Sequence, residues 1–78
     1  MTNISTIRIS RATATKAFSD EPGITDQIDY MLEAIEMSMD DEAGVKVRTY
    51  ANSHEITIEA PTNQLVDAAN ELARQKLI

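Results

Sequence analysis

The stretch from Ile24 to Glu42, ITDQIDYMLEAIEMSMDDE, constrains the fold more than any other part of the chain. On a helix of 3.6 residues per turn, Ile24, Ile28, Met31, Leu32, Ile35 and Met39 fall on one stripe, the spacing of a core-facing side. A second stripe carries Asp26, Asp29, Glu33, Glu36 and Asp40 at intervals of three, four, three and four. At about 100° per residue these five carboxylates occupy about a quarter of the helix circumference. From Ala17 to Val45 there are nine acidic residues and no Lys or Arg. Like charges three and four apart cost a helix roughly 0.2–0.5 kcal/mol per pair, so folding alone does not ask for this arrangement.

The bounds of that helix are legible in the residues around it. Ser19-Asp20-Glu21-Pro22-Gly23 is turn chemistry, with Pro fixing φ and Gly allowing a positive φ. Thr25 then suits the N-cap, and Asp26 and Asp29 suit the positive end of the helix dipole. The dipole does not account for Glu33, Glu36 or Asp40, which lie too far along. Gly44 marks the exit.

Three alternating runs predict strands. Ile4, Ile7 and Ile9 predict a half-buried strand near the N-terminus. Residues 12–18, which alternate small and polar side chains, read as a continuation of that strand or as loop. Val45 to Tyr50 and Glu55 to Ala60 predict a hairpin. With Asn52-Ser53 as a two-residue turn, Thr49 faces Ile56, Val47 faces Ile58 and Val45 faces Ala60 on one side. On the other side Lys46 meets Glu59, Arg48 meets Thr57 and Tyr50 meets Glu55. Pro61 suits the first turn of a last helix, whose apolar face holds Leu65, Val66, Ala68, Ala69, Leu72, Ala73 and Leu77. The expectation is one α+β domain over residues 1–78, a two-layer β-α-β-β-α arrangement with a three-stranded sheet and two helices packed on one face.

The formal charge of −6 hides an asymmetry. Residues 17–45 carry all nine of the acids just counted, while the rest of the chain holds seven bases against four acids. A net negative surface disfavours nucleic acid and anionic membranes and favours a basic protein partner, so no direct nucleic-acid binding is expected. Without Cys there is no disulfide framework and no thiolate zinc site, which fits a reducing, cytoplasmic setting. No apolar run approaches the length of a membrane span, and the N-terminus does not resemble a signal peptide.

Enzyme chemistry finds little to use. His54 is the single histidine, and without a second His or a Cys the usual nucleophile and base pairs cannot be assembled. Carboxylates on an exposed helix have no cleft to work in. Asp40-Asp41-Glu42 lacks the spaced ligands and central Gly of a calcium loop, and glycine-rich phosphate loops are missing. No catalytic residue, metal or cofactor is expected.

The acidic stripe therefore carries the functional expectation. Tyr30, Ala34 and Met37 lie beside it, and a Tyr and a Met next to carboxylates suit an interface anchor with a charged rim. Tyr30 and Met37 can equally pack under the 12–23 segment. The expected partner-binding residues are Asp26, Asp29, Tyr30, Glu33, Glu36, Met37 and Asp40. Alternatively, Tyr30, Ala34 and Met37 form the seam of a weak homodimer, in a small self-associating domain that is otherwise a monomer. A basic sheet face with Arg8, Lys46, Arg48 and Tyr50 is a further nucleic-acid candidate, diluted by Glu55 and Glu59.

The order of elements, Gly44-Val45-Lys46-Val47-Arg48 leading into the second strand, Ala51-Asn52 in the hairpin, Ile58 and Ala60 in the third strand, and Glu71-Leu72 in the last helix resemble the DinI-like family of small bacterial, plasmid and phage proteins. The resemblance implies binding to the RecA recombinase filament and modulation of the DNA-damage response through an acidic ridge that imitates DNA. That ridge lies on the family's last helix, where this chain matches with Asp67 and Glu71, followed by Arg74 and Lys76. The same physics also suits a phage-type inhibitor, such as an anti-CRISPR protein that blocks a basic nucleic-acid channel. In both readings carboxylates about one helical turn apart stand in for phosphates.

Overall fold

Strand β1, Ile4–Ser10, buries Ile9 and partly buries Ile7 while Thr6 and Arg8 stay exposed, so the alternation of its side chains is that of a strand with one wet face. The structure, a computed structural model, describes residues 3–21, 23 and 27–78. Helix α1, Arg11–Ala17, follows β1 directly. Ser10 keeps extended dihedrals and its Oγ accepts from the Ala12 N–H at 3.1 Å, an N-cap; Ala12, Ala14 and Ala17 then favour helix over strand. Residues 12–18 are thus mostly helical rather than strand or loop, with Ala14 fully buried.

Helix α2, Ile28–Ser38, is capped by Gln27 without a side-chain bond and runs on through a π-helical turn, Met39–Ala43. The Thr25 cap and the Ile24 start expected from sequence lie outside the described residues. Met31, Ile35 and Met39 are buried and Ile28 and Leu32 pack against them, as the apolar stripe requires. Gly44 ends the turn at φ 66°, where its N–H donates to Asp40 and the Val45 N–H to Met39. This left-handed residue is where glycine matters: Gly44→Ala meets no atom within 4 Å, yet it should lower stability by about 1 kcal/mol from backbone strain alone, measurable by urea unfolding.

Strands β2, Arg48–Ala51, and β3, Glu55–Pro61, form the expected hairpin, but two residues out of the expected register. Thr49 pairs with Ile58, Arg48 with Glu59 and Ala51 with Ile56. The Asn52 side-chain oxygen accepts from the N–H groups of His54 and Glu55 at 2.8 and 2.7 Å, so Asn52 opens the turn instead of sitting at its centre. A slip of two keeps every side chain on its predicted face, which is why Val45, Val47, Ile56, Ile58 and Ala60 are still buried together.

Pro61 closes β3; a 3-10 turn, Thr62–Gln64, then leads into helix α3, Leu65–Arg74. Ala68, Leu72 and Leu77 reach the core, whereas Val66 and Ala73 of the expected apolar face are exposed. The sheet is antiparallel with order β1-β3-β2, so the last strand made is the central one. The architecture is α+β, as expected, with three described helices contributing to one core cluster.

Candidate functional site

Three sides of α2 are occupied by different things. Its inner side is the core. One flank meets β2, where Thr49 Oγ1 donates to Glu36 Oε2 at 2.7 Å. The other flank meets α3, where Ser38 Oγ donates to Glu71 Oε2 at 2.7 Å. Between those flanks the helix faces solvent and presents Asp29 and Glu33, with Asp40 following in the π-helical turn, all exposed, together with Tyr30 at 51 % and Met37 at 57 % exposure. The π-helical turn carries Asp41 and Glu42 outward beyond Asp40.

Five of the seven residues expected to bind a partner therefore share this face. Glu36 is half-buried and already engaged by Thr49, so it contributes charge at the margin rather than a free carboxylate. Asp26 lies outside the described residues. Tyr30 and Met37 are each more than half exposed, so neither is buried as packing under a neighbouring segment would require, and Ala34 lies half-buried beside them.

On α3 the geometry separates the two carboxylates singled out by the DinI-like resemblance. Asp67 is exposed, but Glu71 is only 6 % exposed. Its carboxylate accepts from Arg74 Nε at 2.8 Å and Nη2 at 2.7 Å, from Ser38, and from Gln75, which also donates to Ser38. The Arg74 bonds foremost, opposed by burial and helped by Ser38 and Gln75, hold the Glu71 carboxyl down to about 2. The Glu71 bond, then its charge, and further off the charge of Glu42, push the Arg74 guanidinium up. Glu71 is thus a fastening between α2 and α3. Sequence reasoning missed it, although Glu71 and Arg74 at i and i+3 were the available signal.

The wet face of the sheet carries Arg8, Lys46, Arg48 and Tyr50, with Thr57 between Arg8 and Tyr50 and Glu59 beside Arg48. Glu55 and Glu59 of β3 lie among those bases. His54 sits in the hairpin turn, its N–H bonded to Asn52 and its C=O to the Arg11 N–H, as a turn residue would. Among the described residues no three His, Cys, Asp or Glu side chains converge as a metal ion requires, and no helix is long and apolar enough to cross a membrane. Comparison with known protein families, with curated proteins and with solved structures returned no match.

Proposed function

We propose that this chain is a non-enzymatic, protein-binding modulator of a nucleic-acid-handling machine, docking the outer face of α2 onto a basic surface of its partner. One observation carries the reading: Asp29, Glu33 and Asp40 are exposed around a half-exposed Tyr30 and Met37, in a segment without a single Lys or Arg. Asp29 and Glu33 are one turn apart, about 6 Å along the helix axis, a ladder of negative charge that a phosphate-binding groove accepts. Charge attracts at long range and speeds encounter, while the aromatic and thioether side chains supply apolar area at the centre. The DinI-like resemblance suggests a recombinase filament as the target; with Glu71 paired to Arg74, the face offered to it is α2 rather than the last helix. A defence-system nuclease, as for an anti-CRISPR protein, fits the same chemistry.

The test is capture from bacterial lysate, read by mass spectrometry, with the native chain and with an Asp29→Lys, Glu33→Lys, Asp40→Lys variant whose fold is checked by circular dichroism. Glu36 is left in place because Thr49 depends on it. The native chain is expected to retain a nucleic-acid-binding protein, the variant to lose at least about tenfold in affinity, and added salt to weaken the native complex. Equal retention by both proteins would sink the reading. The half-exposed Tyr30 and Met37 also support a homodimer seam; in that case Met37→Glu abolishes a salt-resistant dimer and the lysate yields no specific partner.

A further inference from the structure

The two edges of the sheet differ. β2 is four residues long, with Arg48 and, just before it, Lys46 exposed, and its Thr49 is bonded across to α2. Short, charged and partly covered edges resist the addition of another strand. β1 is seven residues long and has Arg8 as its one charge.

Which backbone groups β1 leaves free follows from its ladder. The Thr62 N–H donates to the Asn3 C=O, and the Arg11 N–H to the His54 C=O. In an antiparallel pair the bonding direction alternates, so the odd-numbered residues of β1 face β3 and Ile4, Thr6 and Arg8 turn their N–H and C=O groups away. Among the described residues nothing bonds to those groups. Ile4, on the wet side of the sheet, is 57 % exposed.

We infer that the outer edge of β1 pairs with the same edge of a second copy of this chain, joining two sheets into one across a two-fold axis. The register that uses all three outward residues runs through Thr6. Thr6 then faces Thr6 of the other copy and Ile4 faces its Arg8, each pair exchanging both N–H···O bonds. A shift that set Arg8 against Arg8 would bring two like charges together, so charge selects the same register. The aliphatic stem of Arg8 covers the exposed Ile4, and on the core side Ser5 lies next to Ile7, which is only partly buried in the single chain. The wet and core faces both continue unbroken across the seam. This seam is at the sheet edge opposite β2, the strand bonded to α2, and it does not depend on what the α2 face binds.

Sedimentation velocity and amide hydrogen exchange, each over a range of concentrations, test the inference. The mass is expected to rise from 8.6 kDa towards twice that value as concentration increases. Over the same range the Thr6 and Arg8 amides should exchange about tenfold more slowly, while those of Ser5, Ile7 and Ile9, already bonded to β3, change little. Thr6→Pro removes an outward N–H without touching the β1–β3 ladder and should hold the chain monomeric. Should that variant fail to fold, the exchange pattern of the native chain decides alone. A native chain that stays at 8.6 kDa, or a dimer whose Thr6 and Arg8 amides remain unprotected, overturns the inference.

Discussion

Ile58→Ala is expected to lower the free energy of unfolding by about 2–5 kcal/mol, the largest effect of any substitution considered for this chain. Ile58 is fully buried at the middle of the central strand, between Ile7 of β1 and Thr49 of β2, so shortening it opens a cavity that two flanking strands and the helices above all line. A domain of 78 residues has roughly 4–12 kcal/mol of stability in total, and this one change removes a large share of it. Urea unfolding followed by circular dichroism measures the loss. Ile4→Ala, on the exposed side of the same sheet, is the control and, at a concentration where the chain is monomeric, should stay within about 0.5 kcal/mol. Equal midpoints for the two variants would mean that the sheet buries its other face.

Glu71→Ala should be the second largest, about 1–3 kcal/mol, because it leaves the half-buried Ser38 hydroxyl without its acceptor and Gln75 with Ser38 alone. Its signature is in the pH dependence. The folded-state value of about 2 lies below the ordinary 4.5, so between those values the unfolded chain binds more protons than the native one. The stabilisation is therefore complete above pH 4.5 and fades as pH falls toward 2. Glu71→Gln keeps the shape but cannot titrate, so its stability should fall less steeply across that window than the native chain's. Thermal unfolding at pH 7, 4.5, 3 and 2 separates them, and parallel curves would mean that the Glu71 carboxylate is not held by Arg74, Ser38 and Gln75.

What could be read from the residues alone follows the strength of each local signal. The core stripe of α2 was legible because Met31, Ile35 and Met39 repeat at helical spacing and nothing competes with that period. The hairpin was legible in its faces but not in its register, since a slip of two residues leaves the alternation intact; only the bonding of the Asn52 side chain to two N–H groups distinguishes the alternatives. α1 was ambiguous because Thr13 and Thr15 imitate strand alternation, although Ser10 followed by three alanines held the capping signal. In the candidate site, the position of the charges was visible as a one-sign stripe, and the exposure of Tyr30 and Met37 was not, because it depends on where other segments pack. The engagement of Glu36 by Thr49 and of Glu71 by Ser38 joins residues far apart in sequence, and such pairs leave no local pattern.

The strand order also sets a timetable. β3 is central to the sheet and is synthesised after both of its neighbours, so β1 has no partner until residues 55–61 have left the ribosome. Ile7 and Ile58 are 51 positions apart, and closing a loop of that length carries an entropy penalty that the local β2–β3 turn does not. Until then both edges of β1 are bare, and a nascent chain carries an isoleucine-bearing strand that neighbouring chains on the same message can reach. Crowded translation is consequently the condition under which this molecule is most exposed to mispairing, and slow elongation through residues 40–61 would lengthen that interval.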